Sequence, residues 1–407
     1  RSGNRVIGLM VTDINSLTDY ATELTDMLRR KSLCFAYIVT PFASSLGEQI
    51  MEEYREAPLF ACTKGFLESN DVSVRSENAL TIELNNQIRN VIDRKLLPIY
   101  LENGWDWTEY KELKEKLYLI KQSNWSGEAK DEFLLSAFAL INLFNNAIFS
   151  LEQLETAISE NAVNKAVVSP LDRIKDLWNR ANDALSVQDA CAFVADVLER
   201  KYYERKSSAP KAEALWKYIN ANADRNITVV VPKAYYVELM NRDCAEMESN
   251  VRFITANRYD GMDGADCIVC VGDIVGKRFN PMQCLTVKET VILLYDSERK
   301  IFDYKNKRFS LLERKLNAKA KGIEIPVEAI EPIADEREIE RAITQFSDLD
   351  QYISTISAFD IKKLISTGNH DGNAPMSEVK VVGSFSTGEQ ILFSKFYSAV
   401  VFDQEEG

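Results

Sequence analysis

At 407 residues the chain is longer than one hydrophobic core fills, since cores stop growing beyond roughly 250–300 residues, so two or three domains are expected. Hydrophobic residues make up 46% and charged residues 27%, ordinary globular usage that excludes wholesale disorder. A net charge of −13 excludes a whole-surface attraction to nucleic acid, which needs Lys and Arg against phosphate, and leaves local basic patches to do such work.

In chain order, the apolar run 6–11 predicts a buried strand. A helical pattern over 17–28 follows, with Asp13, Asn15 and Ser16 as cap candidates. A second buried strand is expected over 34–39, stopped at Pro41, then a helix over 46–54, a short strand over 59–62, a helix over 80–92 and a strand over 97–101. Strands alternating with helices predict a parallel sheet with crossover helices. From 107 to about 218 the chain reads as helix, with 3.6-residue patterns over 110–119, 131–149, 151–158, 171–185, 187–202 and 211–219. Pro170 suits a first helical turn.

A second α/β segment opens with a strand over 227–231 and a helix from 235 to 240. Strands over 251–255, 266–271 and 290–295 follow, with a helix between 280 and 287 joining the last two. Helices are expected over 311–320, 336–346 and 349–364, the last two with an acidic outer face and an extended segment over 322–332 before them. Alternating stretches at 379–382, 390–393 and 397–402, with Gly383 and Gly388 at turns, predict a small antiparallel meander. The expected domains are therefore an N-terminal α/β lobe (1–105), a helical region (106–222), a second α/β lobe (223–335) and C-terminal helices with a β meander (336–407).

The seven cysteines are Cys34, Cys62, Cys191, Cys244, Cys267, Cys270 and Cys284. Their odd number and mostly apolar surroundings predict buried free thiols in a reducing compartment. The longest apolar stretch, 133–149, is broken by Ser136, Asn142, Asn145 and Asn146, too short and too polar for a span of about 20 apolar residues. A cytoplasmic location with no membrane contact is expected. The chain begins at Arg1 without a Met, so an upstream part is expected.

No complete catalytic motif is present. The Gly276-Lys277 step lacks the upstream Gly and the Ser or Thr of a phosphate-cradling loop. His370, the single histidine, lies in Gly368-Asn369-His370-Asp371-Gly372, a loop of turn formers, and reads as a solvated loop histidine. Cys267 and Cys270 form a CxxC inside a strand-like run, where residues i and i+3 face opposite ways, which reads as core packing. Asp335-Glu336 and Asp131-Glu132 do not end apolar strands and read as helix-entry charges, which the helix dipole favours. No catalytic residue, no cofactor and no metal are expected.

The informative stretch is 265–309. A strand ends at Gly272 and leads to Gly276-Lys277-Arg278-Phe279-Asn280-Pro281, just past a strand's carboxyl end, where ligands of open α/β sheets bind. From Arg299 to Lys321 there are nine Lys or Arg against Asp303 and Glu313, a local charge of +7 in a chain of −13. Lys277, Arg278, Arg314, Lys315, Lys319 and Lys321 are the candidate phosphate contacts. A solvated helix face is the alternative.

The order from Pro210 to Phe309 resembles the second RecA-like lobe of helicases. In that resemblance 211–219 is the lead-in helix, 227–231 the first strand of the lobe, and 266–272 the strand before the nucleic-acid-contacting motif. Gly276-Lys277-Arg278 falls where such lobes place a finger arginine, but the usual Q-x-x-G-R-x-x-R is not kept: the Gln and the second Arg are missing, which argues against ATP hydrolysis. The same stretch, with a strand ending Leu294-Tyr295-Asp296-Ser297-Glu298-Arg299 and a closing tail from Val382 to Gln390, is similar to the DrmE component of DISARM bacterial anti-phage systems over residues 210–407. That resemblance implies protein partners in a defence complex acting beside DNA.

The expected fold is thus α/β, with RecA-like (Rossmann-type) parallel-sheet lobes, a large helical insert and a small C-terminal meander. The expected function is a non-hydrolysing helicase-like module of an anti-phage complex, binding DNA or partner subunits without catalysis of its own. A purely structural docking subunit, and a fragment of a nucleotide-handling enzyme whose catalytic lobe lies elsewhere, remain as alternatives.

Overall fold

The computed structural model describes residues 7–394 apart from 13, 15–16, 18–20, 41–46, 48–49, 52, 55, 70–77, 103, 126, 164–166, 244–249, 262–263, 277–278, 285, 321–333, 367–378 and 385–389. The chain divides into two compact units, one of residues 1–110, 213–232 and 248–344, the other of 111–212, 233–247 and 345–407.

The first unit opens with two parallel strands, β1 (Gly8–Val11) and β2 (Phe35–Ile38), connected through α1 (Ala21–Leu28). Leu9, Val11 and Ile38 pack with Ile14 and Leu24. The opposite face is open: Met10, Phe35 and Tyr37 are 67%, 59% and 57% exposed. The Phe35 ring lies over Gly8, where a Cβ would come within 2.1 Å of it. β2 was expected to be buried and is not: Phe35, Ala36 and Tyr37 are exposed, because among the described residues only Ile38 of β2 packs with the small cluster around Ile14 and Leu24. The strand expected at 59–62 is absent. Phe60 there is 73% exposed, and Thr63 instead caps α2 (Lys64–Ser69), its hydroxyl accepting from Phe66 N–H.

Helix α3 (Ala79–Ile92), capped by Asn78, leads to β3 (Lys95–Leu101). The chain then runs through α4 (Trp107–Gln122), α5 (Glu128–Asn146), α6 (Leu151–Ser159), α7 (Pro170–Asp183), α8 (Gln188–Arg205) and α9 (Pro210–Ala221). Next come β4 (Ile227–Val231), α10 (Ala234–Asp243), β5 (Val251–Thr255), β6 (Cys267–Cys270) and β7 (Glu289–Tyr295). The five longer strands form one all-parallel sheet in the order β3-β7-β6-β4-β5. Residues of β4, β6 and β7 are almost entirely buried, as parallel strands covered on both faces must be, and this is why they read as unbroken apolar runs. β3 lies within the expected lobe 1–105 and hydrogen-bonds along its length to β7 of the expected lobe 223–335, so the two stretches share a sheet.

The order in which strands are added reverses between β4 and β6: β5 lies to one side of β4, while β6 and β7 lie to the other. The strands' amino ends are tied by a polar cluster. Glu289 accepts from Tyr218 and from Arg225 at 2.8 Å, and Asp266 accepts from the Asn226 N–H at 2.8 Å.

The second unit is mostly helical, with the strands of the C-terminal tail as its described β structure. α5 buries Phe133, Leu134, Phe138, Ile141 and Phe144 against α7 and α8. Ser150 and Gln153 form a reciprocal capping box on α6, and Ser169 caps α7 with Pro170 behind it. Among the described residues no single helix is long and apolar enough to cross a membrane.

After β7 the chain differs from expectation. α11 (Asp296–Ala320) starts directly at the strand's end, and α12 (Ala334–Ser366) is one helix where two were expected. β8 (Val379–Ser384) and β9 (Gln390–Ser394) form the antiparallel hairpin expected of the tail. The third tail strand and the segment 322–332 lie outside the described residues. The helix expected over 280–287 is replaced by a turn. The Asn280 side chain accepts from Met282 N–H at 2.9 Å and its carbonyl from Gln283 N–H at 2.9 Å, a local alternative to helix that Asn offers readily.

Candidate nucleic-acid interface

In an open parallel sheet the crevice for a ligand lies at the carboxyl ends of the strands beside the point of reversal. Here that point is flanked by β4 and β6, and β6 runs out into Val271-Gly272-Asp273-Ile274. The loop after β6 is held at three places. Asp273 accepts from Lys305 of α11 at 2.7 Å. Gly276 lies so close to β5's end that a Cβ there would sit 2.3 Å from the Ala256 carbonyl oxygen, which is why the position needs glycine. Phe279 is buried, edge-on to Tyr259 with centroids 5.0 Å apart. Lys277 and Arg278 sit in sequence between the last two anchors and lie outside the described residues.

α11 supplies the rest. Its first turn carries Asp296 and Glu298, and Glu298 accepts from the Tyr295 N–H at 2.8 Å, an acid placed where the helix dipole favours it. Phe302 and Leu316 are buried and Phe309 is half-buried, and their sevenfold spacing lines them along one side at about 100° per residue. A second half-buried line, Tyr304, Leu311 and Ala318, runs along a different side with the same spacing. Exposed cations flank that second line: Lys300, Lys307 and Arg314 on one edge, Arg308 and Lys315 on the other.

These cations are not alike. Arg299 lies 4.8 Å over the Tyr100 ring and 3.5 Å from Asp303, which also accepts from the Tyr100 hydroxyl at 2.6 Å. Burial and that hydrogen bond hold the Tyr100 phenol well above its ordinary pKa. Lys300 lies 5.4 Å from the Trp107 ring centroid, a cation–π contact. Arg308 hydrogen-bonds to Tyr304, and Tyr304 to Glu340 of α12. Burial first, then Glu340, raises the Tyr304 pKa. The amino-terminal half of α11 is thus knitted to β3, to the β6 loop and to α12. Arg314 and Lys315, in the carboxyl-terminal half, are exposed and form no ion pair among the described residues.

Of the six candidates, Arg314 and Lys315 stand together on the exposed side of α11. Lys319 belongs to the same helix, with its side chain outside the described residues, as is the whole of Lys321. Lys300 and Lys307 belong to the basic stretch but not to the six candidates. Their seven-residue spacing with Arg314 is the signal, hidden because 296–299 reads as a loop instead of a first helical turn.

The CxxC lies within β6 with both thiols buried. Burial raises the pKa of both thiols, Cys270 well above the ordinary range. Cys267 lies 3.6 Å from the Tyr218 hydroxyl. Cys34 and Cys62, expected to be buried, are exposed.

The fold defines the class, a parallel-sheet α/β protein with a basic helix, α11, directly after the interior strand β7. No family model matches the chain, and no curated protein matches it. Among solved structures, the C-terminal part of the Fun30 ATPase domain aligns with 57% of this chain and 99% of its own length, at 9% identity and a TM-score of 0.24. The fold assignment rests on the sheet's own order and register.

Proposed function

We propose that this chain is a helicase-like module that holds nucleic acid without hydrolysing ATP, through the carboxyl-terminal half of α11 and the loop after β6. The observation that carries the reading is the pair Arg314 and Lys315. They are exposed, have no carboxylate partner among the described residues, and stand within a +7 stretch of a −13 chain. Acidic surface elsewhere steers a polyanion toward such a patch. Lys277, Arg278, Lys319 and Lys321 extend the same contact set, and DNA is the proposed ligand. A bacterial anti-phage complex in the cytoplasm, the setting that a resemblance of residues 210–407 to the DrmE component of DISARM implies, is part of the same proposal.

Protein partners belong to the same proposal. The open face of β1 and β2, with Met10, Phe35 and Tyr37 exposed, is the kind of apolar surface that marks a protein contact. A docking subunit with no nucleic acid is the second reading, and this face is what favours it.

The test is the double reversal Arg314→Glu with Lys315→Glu, measured against unrelated DNA and RNA oligonucleotides at low salt. Phosphate contacts carry no sequence information, so affinity falls for all sequences alike. Unchanged binding leaves the docking-subunit reading in its place.

A further inference from the structure

The segment after β3 fixes an aromatic ring beside the basic helix. Gly104 lies so close to the end of β7 that a Cβ there would come within 2.4 Å of the Tyr295 Cβ. Trp105 is buried, edge-on to Tyr110 with centroids 5.9 Å apart. Asp106 caps α4, its carboxylate accepting from the Thr108 N–H at 3.0 Å and the Glu109 N–H at 3.3 Å. These three residues set the position of Trp107, the first residue of α4, which is itself only half-buried. Trp107 follows the carboxyl end of β3, the end of an open parallel sheet at which ligands bind. Lys300 lies 5.4 Å from its ring centroid. Lys300 also opens the exposed row that continues at Lys307 and Arg314, at steps of ~10 Å along the helix. The neighbouring ring, Tyr100, is taken up within the fold: Arg299 lies over it and Asp303 holds its hydroxyl.

We propose that Trp107 stacks on a base, and that the nucleic acid held along α11 is single-stranded. This rests on the reading of α11 as a phosphate-binding helix and extends its contact to the amino-terminal end of that helix. A row of cations cannot tell one strand from two, because both offer phosphates. A fixed aromatic ring at the end of the row can. Bases inside a duplex are stacked on one another, whereas those of a single strand are free to lie against a side chain. A basic track for the backbone joined to a ring for a base is the arrangement by which proteins hold single strands. Every base has a π-face, so such a contact tolerates any sequence, as phosphate contacts do.

The experiment uses the full chain with three fluorescently labelled ligands, read by anisotropy at low salt: an oligothymidine, an abasic strand of the same length, and a duplex. Wild type binds the oligothymidine about tenfold more tightly than the abasic strand, the scale of one stacked base. Trp107→Leu loses that difference and binds both strands alike. Its salt slope stays that of wild type, since the ring neutralises no phosphate, and its affinity for duplex is unchanged. Trp107→Phe, which keeps a ring, keeps most of the preference for bases. Equal binding of the two strands by wild type overturns stacking without any variant having to fold. Equal weakening on both strands by Trp107→Leu means that the ring only positions Lys300, and overturns it as well. In either case, weaker binding of every ligand by Arg314→Glu with Lys315→Glu leaves the phosphate-binding reading standing. Tighter binding of duplex than of oligothymidine by wild type overturns the single-strand assignment. If wild type binds none of the three ligands, both proposals fall.

Discussion

Cys270 sits in the middle of a buried parallel strand, and its thiol is held neutral by burial. A thiolate is the reactive form. Cys191, Cys267, Cys270 and Cys284, all buried, should therefore resist a water-soluble thiol reagent until the protein unfolds, whereas exposed Cys34 and Cys62 should react at once. All seven thiols are expected to be free. Mass spectrometry of native, unreduced protein showing a stoichiometric disulfide, or fast labelling of Cys270, would contradict this. Glu289 illustrates the opposite balance. Burial disfavours its charge, but hydrogen bonds from Tyr218 and Arg225 outweigh burial and leave its pKa below the ordinary 4.5. A carboxyl whose folded pKa is depressed contributes stability above its unfolded pKa and loses it as pH falls through the folded value. Melting temperature should thus fall below pH 4.5 more steeply in wild type than in Glu289→Gln; identical profiles would refute the assignment. None of these pairings was legible in the sequence, because Tyr218, Arg225 and Glu289 are brought together only by the sheet.

Elements were legible where burial leaves a continuous signature. β4 and β7 are runs of β-branched and other apolar residues, and the structure places them where the pattern does. Leu293, fully buried in β7, tests that core: Leu293→Ala should destabilise the fold by about 2–5 kcal/mol, read as a shift of the denaturation midpoint. A loss under about 1 kcal/mol would mean that the sheet centre repacks around the cavity. The start of α11 was missed because Asp296-Ser297-Glu298-Arg299 is polar enough to pass for a loop, although acids in a first turn are what the helix dipole favours. The turn at 280–283 was missed in the other direction, since Asn280 can satisfy the backbone of the next residues itself. β3 could not be assigned from sequence to a sheet whose other strands begin more than 120 residues later, because strand partners across so long an interval leave no local mark.

At the scale of the whole molecule the fold class followed from alternation and apolar runs, while the partition of the sheet among sequence segments did not. The candidate interface was half legible: the concentration of Lys and Arg was plain, but the two rows needed the helix. The missing phosphate-cradling loop bears on the chain as a whole. The purified protein should turn over no ATP, and turnover that follows the protein through every purification step would contradict that. The central claim, a phosphate-binding face on an acidic protein, is tested most directly by the salt dependence of DNA binding. Counterion release makes the logarithm of affinity fall linearly with the logarithm of salt concentration. Wild type is predicted to show that decline. Arg314→Glu with Lys315→Glu is predicted to bind more weakly at every salt concentration, with a slope shallower by about two, one for each phosphate that the variant no longer neutralises. A wild-type protein that binds no DNA at low salt, or a double variant with the wild-type affinity and slope, would contradict it.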